Sequence, residues 1–284
     1  MDVRSTLGEF LQAKRAQLTP EAVGLPHYGD RRRVPGLRRE ELAMLAGVSA
    51  GYYTRLEQGQ SLNASPEVLD AIARAMRLTT AEREHLHVLS AGAGHRARVT
   101  PSPAEHASDD LRALLAAMTT VPALVLGRRN DVLAWNRAGH ALLAGHVDVA
   151  APDDPENRPS MPRMVFLDAP TRALYRDWAA KARAVVGNLR IMTARNPGDV
   201  GLTALIGELA IESPEFATMW AEHVVEPCGR DVYELDHPVA GRLEVIQQTL
   251  RVPQEPDQSL VTFTAEPGSG SSMTLATYAQ SVTG

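Results

Sequence analysis

Cysteine is nearly absent from this sequence, because Cys228 is the only one in 284 residues. A single cysteine excludes an intramolecular disulfide framework and any metal site built from several cysteines. Long apolar runs are missing too, since no stretch of about 18 apolar residues occurs that could cross a membrane. The first residues lack the apolar core of a signal peptide. We therefore expect a cytoplasmic protein that has no membrane partner.

Lysine is also scarce, and the chain carries no net positive charge. Lys14 and Lys181 are the only lysines, and the formal net charge is −5, which by itself argues against a nucleic-acid partner. The charge is unevenly divided, however. Residues 1–98 contain 14 basic and 11 acidic residues, whereas residues 99–284 contain 15 and 23. A mildly basic head on an acidic body suits a DNA-binding module joined to a domain with a different partner.

The sequence does contain a compact helix-turn-helix pattern, within residues 36–59. Its first helix is predicted over about 38–46, and Gly47 then supplies the positive φ that commonly ends a helix. Ser49 is placed to cap a second helix over 49–58. The alternative interpretation is an αα-hairpin that happens to turn on a glycine. The apolar positions of the shared core are Leu42, Ala46, Val48, Tyr53 and Leu56.

This segment resembles the XRE/lambda-repressor-like helix-turn-helix family. The resemblance implies that the second helix is a recognition helix lying in the major groove of DNA. Arg55 is the best candidate to read a base, because its guanidinium matches the two acceptors of guanine, and a phosphate contact is the alternative. Glu57 is expected to brace the fold through an ion pair. The residues expected to contact DNA here are Arg38, Ser49, Ala50, Gly51, Tyr52, Thr54 and Arg55.

Three consecutive arginines, Arg31, Arg32 and Arg33, precede the helix-turn-helix in an insert that is rich in turn residues. One interpretation is that they clamp the DNA backbone or enter the minor groove. The other is a solvated loop whose charges bind nothing specific.

Three further helices complete an all-α domain of about five helices, predicted over residues 1–91. The first, over 3–18, is amphipathic and is expected to turn Arg15 outward. The next begins at Ser65 and Pro66, and the last begins with a capping box in which Thr79 is the cap and Glu82 reaches back.

Residues 92–109 are expected to be a linker, because glycine, proline and serine are concentrated there and apolar periodicity disappears. Residues 110–284 then predict an α+β domain. Asn136 is expected to cap the helix that follows the second strand, and one long helix is predicted from Pro170 to about Ala194. A five-stranded antiparallel sheet with helices on one face is predicted, its strands at 123–127, 132–135, 231–235, 241–250 and 259–264.

The blocks PALVLGRRNDVLAWN, MVFLDAPTRALYRDW, SPEFATMWAEHVV and LVTFTAEPGS make this second domain similar to the PAS-like MmyB-like ligand-binding domain. The resemblance extends from about Leu7 to Thr277. It implies a transcriptional regulator whose PAS-like cavity holds a small apolar ligand, with fatty acids as the expected class. Double-stranded DNA with a near-palindromic operator, bound by a homodimer, is the expected partner.

Six of the 13 aromatic residues lie on elements that are expected to meet around such a cavity, although ordinary core packing is the alternative for each. They are Trp135, Phe166, Tyr175, Trp178, Phe216 and Trp220. If the ligand has a carboxylate, Arg128, Arg172 or Arg190 could anchor it.

No cofactor, metal site or catalytic activity is expected. None of the nine histidines stands with carboxylates or cysteine at the spacing of metal ligands. No nucleophile elbow occurs, and the glycine pair at Gly92 and Gly94 follows no predicted strand. The remaining alternative is a DNA-binding antitoxin or scaffold without a ligand, which leaves the large second domain without a role.

Overall fold

The structure is a computed structural model that describes residues 3–25, 36–60, 64–92, 105–196, 198–222 and 230–283. By their internal contacts the described residues fall into two units. The N-terminal unit lies within Met1–Thr100, Arg190–Thr203 and Met219–Glu226, and the C-terminal unit lies within Pro101–Leu189, Ala204–Thr218 and Pro227–Gly284.

Five helices from the first part of the chain build the N-terminal unit, as the sequence predicts. Their buried faces form one core around Phe10, Tyr53 and Ile72, each of which is fully shielded from solvent. The helices are α1 (Val3–Gln17), α2 (Arg39–Ala46), α3 (Ala50–Glu57), α4 (Pro66–Ala75) and α5 (Thr80–Gly92), with a short 3₁₀ turn at Glu21–Val23.

Most of the predicted helix ends are confirmed, because the signals that set them are local. Gly47 ends α2 with φ +67°, and the Ser49 hydroxyl accepts the N–H of Tyr52 at 3.1 Å. The capping box is present as well, since Thr79 and Glu82 exchange hydrogen bonds of 2.8 and 3.3 Å. Ser65 occupies the capping position of α4, but its side chain makes no capping hydrogen bond.

The C-terminal unit contains the predicted five-stranded antiparallel sheet, in the order β2-β1-β5-β4-β3. The closing strands are longer than predicted, because pairing continues to both ends of the β4–β5 hairpin. The strands are β1 (Ala123–Leu126), β2 (Val132–Trp135), β3 (Arg230–His237), β4 (Gly241–Val252) and β5 (Glu255–Thr264).

Helices contact both faces of this sheet, rather than the one face that was expected. Successive residues of a strand point to opposite faces, and Leu124 belongs to a core with α7, α8 and α13, whereas Val125 packs with Leu115 of α6. The helices of the second part of the chain are α6 (Asp109–Ala117), α7 (Arg137–Ala144), α8 (Met161–Leu167), α9 (Ala169–Leu174), α10 (Trp178–Arg195), α11 (Val200–Glu212), α12 (Pro214–Ala221) and α13 (Gly270–Thr283).

The single long helix predicted from Pro170 is wrong, because the chain breaks between α9 and α10. Tyr175 is extended and forms a β-bridge with Leu235, and the N–H of Arg176 donates to Glu234 O at 3.0 Å. This local pairing with β3 replaces the helical hydrogen bonds. The Asp177 carboxylate then caps α10 by accepting the N–H of Ala180 at 3.0 Å.

No helix among the described residues is long and apolar enough to cross a membrane.

Candidate nucleic-acid interface and ligand cavity

The first candidate site is the outer face of α3. Leu42 of α2 and Leu56 of α3 are fully buried in the shared core, and Val48 in the turn packs against it. This packing fixes the angle between the two helices. The capped first turn of α3 therefore protrudes with a defined orientation.

Most of the residues predicted to contact DNA on this face are exposed to solvent. Arg38, Ser49, Ala50, Gly51 and Arg55 are exposed, and Tyr52 and Thr54 are half-buried. A methyl group built on Gly51 would meet no atom of the described residues within 4 Å. The start of α3 thus presents small side chains to the solvent. Arg55 follows them one to two helical turns further along α3. The predicted contacts of Arg31, Arg32 and Arg33 lie outside the described residues.

A buried ion-pair network holds the other end of α3. The Arg15 guanidinium donates to both carboxylate oxygens of Glu57, each at 3.0 Å. Arg39 adds bonds of 3.0 and 2.8 Å from its Nε and Nη2 to Glu57 Oε1. The bracing role predicted for Glu57 is confirmed. The outward orientation predicted for Arg15 is wrong, because this network buries its side chain.

The charged form of Glu57 is favoured within this network. Burial disfavours the carboxylate, but the hydrogen bonds from Arg15 and Arg39 outweigh it and hold the pKa of Glu57 below its ordinary value. Burial likewise opposes the charge of Arg15, and its bonds to Glu57 raise its pKa overall. Both groups are therefore ionised at neutral pH, and α1 and α3 are tied together by a paired charge.

The second candidate site is a cavity of about 40 Å³ in the C-terminal unit, between the first half of α10 and the sheet. Its apolar wall consists of Leu124, Leu126, Met161, Val185, Val261 and Phe263. Its polar wall consists of Asn130, Lys181, Asn188, Gln247, Thr249 and Ser259. Apolar and polar residues thus contribute equally to the lining, whereas a small-molecule site is usually lined mainly by apolar side chains with a few polar groups.

Lys181 is the charged side chain among the described residues that line this cavity. It is only 4% exposed, its Nζ donates to Gln247 Oε1 at 2.8 Å, and it lies 4.8 Å from the ring centre of Tyr233 and 5.2 Å from that of Tyr175. No sequence pattern points to a role for Lys181 or Gln247. The scarcity of lysine was a signal, but the 66 residues that separate the pair hide their contact from any local pattern.

Five of the six aromatic residues predicted to line a cavity lie in the C-terminal unit, at three separate places. The sixth lies in the N-terminal unit. Phe166 contacts Trp178 and Phe216 edge to face, with ring centres 5.7 and 5.1 Å apart. Tyr175 packs edge to face on Tyr233, beside Lys181. Trp135 lines a separate open cleft of about 380 Å³ next to α6. Trp220, which belongs to the N-terminal unit, packs under the guanidinium of Arg190 at 4.3 Å.

The three arginines suggested as carboxylate anchors are engaged elsewhere. Arg128 forms an ion pair of 3.2 Å with Asp257. Arg172 lies 3.7 Å above the Trp178 ring and pairs with Glu215 at 3.1 Å. Arg190 donates to the carbonyl of Trp220, and burial lowers its pKa to about 10. Of the interior cations described here, Lys181 is the one at the cavity.

These features define a class of protein, namely a helix-turn-helix transcription regulator with a separate ligand-binding domain. Residues 6–86 match the family of the helix-turn-helix domain, and residues 107–277 match that of the MmyB-like transcription regulator ligand binding domain. Because the second match covers more than half of the chain, this protein belongs to the MmyB-like transcription regulators. No curated protein matched the chain in a sequence comparison.

Proposed function

We propose that this protein is a cytoplasmic regulator that binds a near-palindromic operator as a homodimer and changes its affinity when an apolar, fatty-acid-like ligand occupies the C-terminal unit. The observation that supports operator binding best is the exposed start of α3 above a buried Arg15–Glu57 pair. Such a helix can enter a major groove without rearrangement of its own core.

Within this proposal the α3 residues have separate roles. Ala50 and Gly51 let the helix approach the base edges, and the Ser49 cap leaves other N–H groups of the first turn for a phosphate. Arg55 reads guanine through its two-pronged guanidinium. Arg38, at the start of α2, contributes a phosphate contact that carries no sequence information.

Ligand modulation is supported by the domain match and by the course of α10. Lys181 and Val185 of this helix line the cavity of the C-terminal unit, whereas its residues from Arg190 onward belong to the N-terminal unit. A ligand that prefers one arrangement of α10 shifts the population of the protein toward that arrangement. Operator affinity then changes by the coupling free energy between the two sites.

Fluorescence anisotropy with the labelled upstream region of the protein's own gene tests the DNA-binding part. We expect Arg55→Ala to weaken binding by at least about tenfold, as the loss of one two-pronged base contact does. Arg242→Ala is the matched control, because Arg242 is an exposed arginine of the C-terminal unit that pairs with Asp236 at 3.2 Å.

The salt dependence separates base reading from phosphate contacts. Arg38→Ala should lower the slope of log affinity against log salt by about 1 and affect all sequences equally, whereas Arg55→Ala should also erode the preference for the operator. If neither the wild type nor the control binds any upstream duplex at low salt, the DNA-binding role is rejected. If one protein chain binds per operator duplex, the homodimer is rejected.

A further inference from the structure

The open cleft beside α6 is a second place where the C-terminal unit can hold a small molecule. We propose that this cleft binds a planar aromatic monoanion, whose ring lies against Trp135 and Met118 and whose negative charge is bound by Arg137. The cleft and the interior cavity share no lining residue. The inference therefore adds a separate site and does not depend on the ligand proposed for the cavity.

The cleft has the size of a small-molecule site. Its volume of about 380 Å³ lies within the usual range of about 300–1,000 Å³ for such sites. The interior cavity, by comparison, has a volume of about 40 Å³. A small ring compound can thus enter the cleft without any widening of its walls.

One buried amide fixes the walls of the cleft to one another. Asn136 Nδ2 donates to Met118 O at 2.6 Å, just beyond the end of α6, and Asn136 Oδ1 accepts the N–H of Gly139 in α7 at 2.7 Å. Asn136 itself directly follows β2 in the chain. The three elements are therefore held in one frame, and a preformed site loses less conformational entropy when a ligand binds.

The apolar part of the lining favours an aromatic ring over an alkyl group. The Trp135 indole is held by a hydrogen bond of 2.7 Å from Nε1 to Val149 O and by the His140 ring, whose centre lies 4.9 Å away. Aromatic rings stack on an indole or meet it edge to face, and they also attract the thioether of Met118, which lines the same cleft. The small side chain of Ala116 leaves room for such a ring.

The charged part of the lining favours a single negative charge. Arg112 and Arg137 both line the cleft, but Arg112 already pairs with Asp153 at 3.2 Å. Arg137 is exposed and forms no ion pair with any residue that the structure describes. Its guanidinium can donate two parallel N–H bonds to a carboxylate. One uncompensated cation therefore matches a monoanion.

The test compares three compounds that share a fused two-ring skeleton. Naphthalene-1-carboxylate has the ring and the charge, naphthalene-1-carboxamide lacks the charge, and the fully hydrogenated carboxylate lacks the aromatic ring. Isothermal titration of the full-length protein should give naphthalene-1-carboxylate an affinity at least about tenfold above that of the amide, because a bond to a charged group is lost. Its affinity should exceed that of the hydrogenated acid by about threefold, because the contacts with an aromatic ring are lost.

Variants of the charged residues assign the head group. Arg137→Gln should abolish the preference for naphthalene-1-carboxylate over the amide, whereas Arg137→Lys should keep part of it. Arg183→Gln is the matched control, because Arg183 is an exposed arginine of α10 that does not line the cleft. Asp153→Asn should raise the affinity for the carboxylate by about threefold, because it releases Arg112 from an exposed ion pair.

A steric variant assigns the ring. Ala116→Phe fills the cleft from an exposed position on α6 and should weaken binding of all three compounds. Ala113→Phe is its control, because Ala113 is exposed on the same helix but does not line the cleft. Circular dichroism melts establish that each variant is folded.

The outcomes that overturn the inference are distinct. It is rejected if the folded wild type binds none of the compounds, or binds the carboxylate and the amide equally. It is also rejected if folded Arg137→Gln keeps the preference, or if folded Ala116→Phe binds naphthalene-1-carboxylate as tightly as the wild type does. None of these results bears on operator binding, which the anisotropy experiment judges separately.

Discussion

Arg15 and Glu57 meet fork to fork in the interior of the N-terminal unit, with Nε to Oε2 and Nη2 to Oε1 both at 3.0 Å. Arg15 also donates to Leu37 O at 2.7 Å, so one guanidinium ties α1 to the end of α3 and to the segment before α2. The position of α3 thus depends on a contact between residues 42 positions apart.

Removal of one partner of this pair should destabilise the N-terminal unit far more than loss of an exposed ion pair. Arg15→Met leaves the Glu57 carboxylate buried with Arg39 as the one cation described beside it, and we expect a loss of about 3 kcal/mol in the free energy of unfolding. Urea denaturation followed by circular dichroism measures it. The double variant Arg15→Met/Glu57→Leu should recover part of the loss, since it buries no charge. A single variant as stable as the wild type would show that the pair contributes nothing.

The stability of this unit should depend on pH through Glu57. Its pKa is lowered from 4.5 in the folded protein, so its contribution to stability is fully present above pH 4.5. The contribution is lost as pH falls through the folded pKa. We expect the melting temperature to stay level from neutrality down to about pH 4.5. It should then fall as the pH decreases further.

Two variants isolate the part due to Glu57. Glu57→Gln should lower the melting temperature at neutral pH and flatten its decline in acid. Asp70→Asn is the control. The pKa of Asp70 is also lowered, to about 2, by bonds to Arg83 and His87, but these bonds are exposed, where ion pairs contribute little to stability. The proposed cause is wrong if Glu57→Gln keeps the full acid-induced decline.

Replacement of Gly8 by alanine should lower the free energy of unfolding, although such a replacement inside a helix usually raises it. Replacement of a glycine inside a helix by alanine normally stabilises by about 1 kcal/mol. A Cβ on Gly8 of α1, however, would lie 2.2 Å from the backbone oxygen of Glu57 in α3. Gly8→Ala must therefore push α1 and α3 apart, and we expect destabilisation of at least about 1 kcal/mol. Gly207→Ala is the matched control, because a Cβ on this residue of α11 meets no described atom within 4 Å, and it should stabilise.

Features that the sequence predicted correctly depend on residues close together in the chain. The turn at Gly47, the cap at Ser49 and the Thr79–Glu82 box each involve positions within three residues of the helix end. The cap at Asn136 belongs to this group too. Each such hydrogen bond joins residues close together in the chain, so a short stretch of sequence is enough to predict it.

Features that were missed depend on distant partners. Arg15 is buried because of Glu57, and the helix breaks at Tyr175 because the chain pairs there with Leu235 of β3. Lys181 reaches Gln247 across 66 positions. Periodicity reports which face of a helix is apolar, but it cannot report a buried charge whose partner lies elsewhere. The candidate cavity was therefore harder to predict than the helix-turn-helix.

Gly51→Glu should separate DNA binding from folding. Gly51 is exposed in the first turn of α3, where a carboxylate interacts favourably with the helix dipole, so the free energy of unfolding should change by less than about 0.5 kcal/mol. Against DNA, the same charge meets phosphates, and operator affinity should fall by at least about tenfold. Thermal melts and anisotropy on one preparation measure both. Normal affinity in this variant would mean that α3 does not approach DNA by its first turn.

Asn136 should be the most sensitive polar position of the C-terminal unit. Its Oδ1 accepts the N–H groups of Ala123 and Gly139 at 3.0 and 2.7 Å, and its Nδ2 donates to Met118 O and Val121 O at 2.6 and 2.8 Å. One buried side chain thus caps α7 and joins it to β1 and to the segment after α6. Asn136→Ala removes the cap and strands several backbone groups, so we expect a loss of about 3 kcal/mol.

Asn136→Asp sharpens this test, because it keeps both acceptor bonds but replaces the donating Nδ2 with a carboxylate oxygen that faces the carbonyl oxygens of Met118 and Val121. Repulsion between these oxygens and the buried carboxylate should make Asp at least as destabilising as Ala at neutral pH, although Asp is normally an excellent cap. Denaturant melts at several pH values measure it. The Asp variant should regain stability in acid, since a protonated carboxyl can donate to one of the carbonyls. If Asp is tolerated at neutral pH, the cap alone accounts for Asn136 and its two donor bonds add nothing.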